Sequence, residues 1–233
     1  MLKVRAANER GHFQNAWLNS YHSFSFGEYY DPAHMGVSTL RVINEDSVTP
    51  GAGFPTHGHR DMEIVSYVLE GELSHKDSMG NGSVIRPGDV QRMSAGTGVS
   101  HSEYNPSNSL GTRFLQIWLL PTERGIVPGY AQKHFTEAER SGRLKLLVSP
   151  DGREDSISAN SDALMYGSIL SLEEQASYTL PAGRQGYVQI ARGRALVNGI
   201  PVEAGDGVTI RSEAEIHLGT DSTAEVLLFD LPA

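Results

Sequence analysis

The sequence predicts an all-β fold made of two tandem, jelly-roll-like β-barrels. Short segments rich in Val, Ile, Leu, Phe and Tyr recur along the chain, separated by turn-forming residues that include 25 Gly and 11 Pro. Many short strands with frequent turn signals are typical of β-sandwiches and β-barrels. The candidate strands are Ser38–Ile43, Glu63–Glu70, Glu72–Lys76, Asp89–Ser94, Thr112–Leu120, Lys145–Ser149, Leu164–Leu170, Gln185–Arg192, Arg194–Val197, Gly207–Ile210 and Glu225–Asp230.

The two halves of the chain look like diverged copies of one unit. A glycine turn between two apolar segments lies at Tyr67–Leu73, and a similar one lies at Gln189–Ala195. Downstream, Pro87-Gly88-Asp89 is echoed by Ala204-Gly205-Asp206. A repeated supersecondary unit of this kind favours two small barrels that pack against each other.

The repeat divides the chain into three parts. Residues 1–120 form the predicted N-terminal barrel and residues 144–233 the C-terminal barrel, with which the N-terminal strand is expected to pair. Residues 121–143 form a connector with one short helix, because Thr136 is suited to the N-cap and Glu139, three residues later, completes a capping box.

Composition excludes several classes of protein and partner. The net charge is −9 without a basic run, so nucleic acid is not an expected partner. No apolar segment approaches the roughly 20 residues of a membrane-spanning helix. The charged N-terminus does not resemble a secretory signal, which favours the cytoplasm. A chain of two barrels is self-sufficient, so a monomer is expected.

Two pairs of polar residues in the first half have the spacing of metal ligands: His57 with His59, and His101 with Glu103. Residues two apart on a strand point to the same face, with Cα atoms about 6.5–7 Å apart. If the two strands are neighbours in a barrel, three imidazoles and one carboxylate converge on one ion. Such a set suits iron, nickel, cobalt, manganese, copper or zinc. Each pair alone also fits a polar strand edge with solvated histidines.

The residues around these pairs follow the order of the two cupin motifs. Gly51–Gly71 closely matches the first motif, and Gly82–Asn105 matches the second more loosely, with Gly96 where a proline is expected. The chain resembles the pirin family in particular, because pirins carry the fourth ligand two residues after the third histidine, where Glu103 stands. Further pirin-like segments are Ser23–Pro32, His57–Glu63, Met93–Glu103 and Leu228–Pro232.

The resemblance implies a bicupin whose N-terminal barrel holds one catalytic divalent transition metal, with Fe(II) the first choice, through His57, His59, His101 and Glu103. Several pirins are flavonol 2,3-dioxygenases of the quercetinase type. The implied reaction is therefore O₂-dependent ring opening of a flavonol with release of carbon monoxide, and the implied partners are a small aromatic substrate and O₂. Glu103 is the candidate base for the flavonol 3-hydroxyl.

The barrel would also supply an apolar, water-poor pocket for a flat aromatic ligand. The candidate lining residues, each equally suited to an ordinary core, are Phe24, Phe26, Phe54 and Met93.

Glu63 stands at the acidic position of the first cupin motif, which binds the metal in many cupins. With Glu103 as the fourth ligand, two other roles are expected for Glu63 ahead of the alternative that it is a stand-in metal ligand. It either accepts a hydrogen bond from the N–H of a ligand histidine or is a structural carboxylate that bonds backbone donors.

The second half lacks a matching ligand set. Aligning the glycine turns of the two halves places position 218 opposite His101, so His217 misses by one residue, and such a slip reverses the face of a strand. Thr179–Pro181 occupies the place of the His-x-His pair. The C-terminal barrel is therefore expected to be metal-free.

Two other functions remain open at this point. Animal pirins are described as metal-dependent partners of transcription regulators, so the resemblance also allows a non-catalytic role with a protein partner. The other alternative is a cupin enzyme of different chemistry that acts on a small metabolite.

Overall fold

The computed structural model describes residues 1–233, and strands dominate it as predicted. The first twelve strands are β1 (Leu2–Arg5), β2 (Gly11–Gln14), β3 (Leu18–His22), β4 (Leu40–Val48), β5 (Gly53–His59), β6 (Glu63–Glu70), β7 (Leu73–Asp77), β8 (Gly82–Ile85), β9 (Asp89–Ser94), β10 (Val99–Tyr104), β11 (Thr112–Leu119) and β12 (Gly129–His134). The remaining strands are β13 (Lys145–Ser149), β14 (Ile157–Ser158), β15 (Leu164–Leu170), β16 (Gln175–Thr179), β17 (Arg184–Val197), β18 (Ile200–Glu203), β19 (Gly207–Ile210), β20 (Glu215–Gly219) and β21 (Ala224–Pro232).

Helical structure is confined to short segments. The helix α1 spans Glu137–Arg140, and the predicted capping box is present, with Thr136 and Glu139 bonding each other's backbone N–H groups. Two single 3₁₀ turns lie at Ala7–Glu9 and Arg153–Asp155. No helix in the chain has the length and apolar character needed to cross a membrane.

The first barrel is built from two antiparallel sheets. The larger has seven strands in the order β12-β9-β6-β11-β4-β3-β2, and the smaller has four in the order β5-β10-β7-β8. The segment predicted as a connector therefore also contains β12, which extends the larger sheet. The smaller sheet brings β5 and β10 side by side, and these strands carry the two ligand pairs.

The second barrel repeats this arrangement. Its larger layer follows the order β1-β19-β17-β21-β15-β13-β14, and β16, β18 and β20 complete the opposite side. The first strand of the chain, β1, pairs with β19 in this barrel. The long strand β17 belongs to both layers, and a register shift between Ile190 and Arg192 bends it at the corner.

The two barrels pack against each other through their larger sheets. The largest apolar cluster has 23 buried residues from both halves, such as Ile43 and Leu115 from the first and Met165 and Phe229 from the second. Burial of so much apolar surface in one shared core is the main force that holds the halves together.

Sequence periodicity identified many of the buried apolar strands but not the two strands that carry the ligand pairs. Neither β5 nor β10 belongs to the candidate set above, although the ligand argument assumed strand geometry for both. Their sequences, Gly53–His59 and Val99–Tyr104, are rich in His, Gly, Ser and Pro, because their inward side chains face a polar site and not an apolar core.

Candidate metal centre

Antiparallel pairing of β5 with β10 brings the ligand pairs together. His101 lies directly opposite His57, but Glu103 lies opposite Phe54, so β5 contains one extra residue between these positions. Pro55 falls in this bulge, where its missing N–H removes no regular ladder bond. Bulges of this kind redirect side chains next to functional sites.

Three imidazole nitrogens converge at the bulge. His101 Nε2 lies 2.9 Å from His59 Nε2 and 3.1 Å from His57 Nε2. With metal–nitrogen bonds of about 2.1 Å, two ligands at a right angle lie about 3.0 Å apart. The spacing of the three nitrogens therefore fits one transition-metal ion, and the structure brings His57, His59 and His101 together as the sequence predicted.

Each of these rings is oriented by a different neighbour. The Nδ1–H of His57 donates to the Pro55 carbonyl oxygen at 2.9 Å, which leaves Nε2 free to bind a metal. His59 packs edge-on against Trp118, with ring centroids 5.1 Å apart. His101 Nδ1 faces His75 Nδ1 at 3.4 Å. Such outer contacts fix the tautomer and the ring plane of metal-binding histidines.

Glu103, the fourth predicted ligand, is a buried carboxylate beside His101, but it is not among the donors that lie within 4.8 Å of one another at His57, His59 and His101. Its Oε2 lies 4.0 Å from His101 Nε2 and accepts a hydrogen bond from Gln116 Nε2 at 2.8 Å. Burial raises the pKa of Glu103 to about 7, although the hydrogen bonds from Gln116 and Ser66 act in the opposite direction. A nearby cation would favour the ionised form, so this carboxylate can bind a metal or carry a proton near neutral pH.

His59 and His101 are held in the neutral form that metals require. Burial, reinforced by the neighbouring His57, lowers the pKa of His59 to about 4. Burial, together with His57 and His59, lowers the pKa of His101 to about 3. Neutral imidazoles keep the lone pair that binds a metal, so the site does not have to lose protons from these rings at pH 7.

A cavity of about 760 Å³ opens beside His57, His59 and Glu103. Its volume is in the range of pockets for small organic ligands. One wall is aromatic: Phe26 packs edge-on against Trp118 with ring centroids 5.3 Å apart, and Phe54 packs against Trp17. His57, His59 and Glu103 line the same cavity, so a ligand inside it would lie next to the metal centre.

Polar side chains also line the cavity, among them Ser20 and His22 of β3 and Asn44 and Asp46 of β4. Ser20 hydroxyl donates to Asp46, and Ser20 Oγ lies 2.8 Å from His22 Nε2. Burial raises the pKa of Asp46 to about 7 and lowers that of His22 to about 4. These side chains therefore offer a hydroxyl, a neutral imidazole and a carboxyl that is partly protonated near pH 7, which suits a ligand with hydroxyl and carbonyl groups.

The predicted pocket residues divide into two groups. Phe26 and Phe54 line the cavity as expected. Phe24 and Met93 do not. Phe24 is 3% exposed in the core shared by the two barrels, and Met93 is fully buried with Ile64 and other apolar residues. Phe24 lies in a loop and packs into the shared core, whereas Met93 is on the same sheet face as Trp118 but is enclosed in an apolar cluster beside the cavity.

Glu63 is not brought to the histidines. Its carboxylate accepts hydrogen bonds from the Ser94 hydroxyl at 2.8 Å and the Asn160 backbone N–H at 3.2 Å. No hydrogen bond joins it to a ligand histidine. Its position at the start of β6 places it in the larger sheet, where it connects to the segment after β14. These contacts are those of the structural alternative.

His75 is a buried histidine next to the site that the sequence analysis did not single out. It is 1% exposed, and it lies directly opposite Glu103 on β7. The available signal was its spacing, since His75 and Asp77 are two residues apart on a strand and share a face. That signal becomes informative only when β7 is known to pair with β10.

The inward and outward faces of β20 are as the alignment of the two halves predicts. Leu218, the counterpart of His101, is 1% exposed in an apolar cluster. His217 points outward with a side chain 63% exposed and lies beside Glu215.

Comparisons with known proteins agree with this architecture. The "Pirin" family model matches residues 3–119, and the "Quercetinase C-terminal cupin domain" model matches residues 146–231. A quercetin 2,3-dioxygenase of Escherichia coli K12 is 46% identical over 232 residues, which cover 100% of this chain and 99% of the relative. A pirin-like protein of Caulobacter vibrioides is 39% identical over 231 residues, 99% of each chain.

A solved structure supports the same assignment. The crystal structure of bacterial pirin YhhW of Escherichia coli in complex with nickel(II) matches with a TM-score of 0.95 and 46% identity, over 100% of this chain and 99% of that one. A match of this quality over both barrels confirms the bicupin fold and the resemblance found in the sequence. The chain belongs to the pirin family.

Proposed function

We propose that this protein is a metal-dependent dioxygenase that cleaves a flavonol such as quercetin with O₂ and releases carbon monoxide. The observation that carries the proposal is the convergence of three imidazole Nε2 atoms, with a buried carboxylate beside His101, at the edge of a cavity with an aromatic wall. The names of the relatives agree with it, since one 46% identical protein is a quercetin 2,3-dioxygenase.

In the proposed centre His57, His59 and His101 hold the metal, with Glu103 as the fourth ligand or as a base beside it. A divalent metal bound there supplies Lewis acidity and a template for orientation. Fe(II) is the first metal to test, and nickel is the second, because the solved bacterial pirin is a nickel(II) complex. Nitrogen and oxygen ligands of this kind also accept cobalt, manganese, copper and zinc.

Glu103 is the proposed proton acceptor. A flavonol must lose the proton of its 3-hydroxyl before ring opening, and a general base works best when its pKa lies near the working pH. The pKa of Glu103 is raised to about 7 by burial. Gln116 and Ser66 hold this carboxylate at the cavity, so its oxygen is fixed in place before a substrate arrives.

The cavity suits a flat polyphenol. Phe26, Phe54 and Trp118 offer aromatic faces and edges to planar rings, whose pairing with aromatic side chains adds about 0.5–1.5 kcal/mol beyond area burial. Ser20 and Asp46, which also line the cavity, can bond hydroxyl groups of the ligand. In the proposed orientation the oxygenated pyrone ring lies toward the histidines, where the metal would bind it.

The test is turnover of quercetin in air by protein loaded with Fe(II) or Ni(II), measured as O₂ uptake and carbon monoxide release. We expect activity in the wild type and in the control His217→Ala, which changes an exposed histidine of the other barrel. In His101→Ala and Glu103→Ala, which remove a proposed metal ligand and the proposed base, we expect turnover to fall by about 10²-fold or more. Stoichiometric metal without turnover would instead favour the metal-dependent protein-binding role.

A further inference from the structure

A chain of hydrogen-bonding groups leads away from the metal centre into the protein. His101 Nδ1 lies 3.4 Å from His75 Nδ1, and His75 Nε2 lies 3.2 Å from Asp77 Oδ2. The side chains of His75 and Asp77 are fully buried, and neither residue lines the ligand cavity. Groups buried this completely must satisfy one another, because water cannot.

The proton positions along this chain follow from the direction of His101. Its Nε2 faces His57 and His59, so this nitrogen is the metal-binding atom and the ring proton is on Nδ1. That proton is donated to His75 Nδ1, which must then be the acceptor. The remaining proton of His75 is on Nε2 and is donated to the Asp77 carboxylate. Every nitrogen and the facing carboxylate oxygen is then satisfied with neutral imidazoles.

The outer end of the chain is rigid. Asp77 Oδ1 accepts hydrogen bonds from the backbone N–H groups of Met79 and Asn81 at 2.9 and 3.0 Å, and Asn81 Nδ2 bonds its Oδ2 at 2.9 Å. The tight turn after β7 thus fixes the carboxylate in one orientation. Tyr130 packs over the His75 ring with centroids 5.1 Å apart and limits its rotation.

We propose that His75 and Asp77 are positioning residues, which fix the tautomer and ring plane of His101 so that its Nε2 is presented to the metal. The proposal rests on the metal centre proposed above, but it does not require that the substrate is a flavonol. The histidine–carboxylate connection to a metal-bound imidazole is a general way to orient a ligand and to raise its basicity. Here the connection is extended by a second imidazole.

A direct ligand role for His75 is disfavoured by geometry. Donor atoms of His75, His101 and Glu103 do lie within 4.8 Å of one another. However, the atom of His101 closest to His75 is Nδ1, on the opposite side of the ring from the nitrogen that faces His57 and His59. Binding a metal between His75 and His101 would therefore take His101 away from the other two histidines.

The test compares two variants of His75 by their affinity for Ni(II), measured on metal-free protein by competition with a chromophoric chelator. In His75→Leu the acceptor for His101 is lost while the volume is kept. In His75→Asn the side-chain oxygen replaces Nδ1 as acceptor. We expect a loss of about 10–100-fold in affinity for the Leu variant, the usual effect of removing such a partner, and recovery of most of it in the Asn variant.

A spectroscopic measurement separates positioning from packing. In Zn(II)-loaded protein with ¹⁵N-labelled histidine, NMR should show His101 protonated on Nδ1, with a slowly exchanging proton that becomes fast-exchanging in His75→Leu. His217→Gln is the matched control, because His217 and Glu215 have the same spacing of two residues on a strand of the other barrel. It should bind Ni(II) as the wild type does.

Several results would overturn the proposal. Unchanged affinity in His75→Leu would remove the role, and equal losses in the Leu and Asn variants would reduce it to packing. A loss as complete as in His101→Ala would make His75 a ligand. If the wild type itself bound no Ni(II) or Zn(II), the metal centre and this inference would fail together, whereas metal binding without flavonol turnover would leave this inference standing.

Discussion

The two barrels use the same pair of inner strands for different purposes. In the first barrel β10 pairs with β5, and in the second β20 pairs with β16. The matching buried positions carry His101 and Glu103 in the first barrel but Leu218 and Thr220 in the second. One interior therefore holds metal-type donors and a cavity, while the other packs into an apolar cluster of 13 buried residues. A shared architecture leaves the chemistry to a few inward positions.

The comparison also indicates a division of labour in stability. The centre of the first barrel buries imidazoles and a carboxylate, whose desolvation is unfavourable until a metal binds. The second barrel fills its interior with aliphatic side chains, each of which contributes about 1.5–3 kcal/mol when fully buried. Because the two barrels share one core, the second can stabilise the first.

Removal of the buried ion pair of Arg140 should have the largest effect on stability, and it tests whether the barrels unfold together. Arg140 Nη1 donates to Glu225 at 3.0 Å and to the Tyr67 hydroxyl, and so joins the connector helix to both barrels. Arg140→Met removes the charge at similar length and leaves Glu225 with Arg192 as its only cationic partner. We expect a loss of about 3–5 kcal/mol in the free energy of unfolding, measured in urea.

The control for this change is Arg153→Met, since Arg153 and Asp151 form an exposed pair worth at most about 1 kcal/mol. A single transition shared by probes in both halves is expected for Arg140→Met. Two separate transitions, with only one of them shifted, would show that the barrels unfold independently and that the second does not stabilise the first.

A substitution at Leu218 tests whether the apolar interior of the second barrel can accept a metal-type donor. Leu218→His places an imidazole at the counterpart of His101 without a partner. We expect a loss of about 2–4 kcal/mol, from lost apolar burial and an unsatisfied polar group. Thermal and urea unfolding would measure it, with Leu218→Met, a volume-conserving change that costs less than about 1.5 kcal/mol, as control. If the histidine were tolerated as well as methionine, the difference between the two interiors would not be energetic.

The fold could be predicted from sequence because apolar segments and turn residues identified ten of the 21 strands, in both halves of the chain. The positions of His57, His59, His101 and Glu103 were also accessible, since strand geometry makes residues two apart share a face. Pairing was not accessible in this way, because no local pattern states that β5 and β7 flank β10. His75 is therefore connected to the site only through the sheet.

The errors at the cavity have a common physical cause. Phe24, Phe26, Phe54 and Met93 are equally apolar, so composition alone cannot separate a cavity wall from a filled core. The distinction depends on the tertiary neighbours of each side chain, since Met93 shares a sheet face with the cavity residue Trp118 and is nevertheless covered by other apolar residues. Glu63 likewise lies in the larger sheet and not beside the histidines, where it bonds Ser94.

The smallest expected effect concerns Glu103 and the pH dependence of stability. The folded protein holds a proton on Glu103 up to about pH 7, because burial raises its pKa, whereas the unfolded chain releases it near its ordinary value of 4.5. Between these values the folded state binds more protons, so this group makes the metal-free protein less stable as pH rises from about 4.5 to 7. Glu103→Gln has no such titration. We expect it to match the wild type near pH 4 and to exceed its stability by about 2–3 kcal/mol at pH 8.

Urea unfolding with a chelator present measures this difference in stability across pH. His59 and His101 contribute in the opposite direction, because their lowered pKa values favour folding as pH rises. This contribution cancels when the variant is compared with the wild type. Thr220 occupies the matching position in the second barrel and donates to the Arg194 carbonyl, so Thr220→Val should have an effect that does not change with pH. Excess Ni(II) should reverse the order at pH 8, because the wild-type carboxylate then gains a cation that glutamine cannot bind as well. A pH-independent difference in Glu103→Gln would mean that the carboxylate is already ionised and solvated, and the contrast between a functional and a structural interior would lose its electrostatic basis.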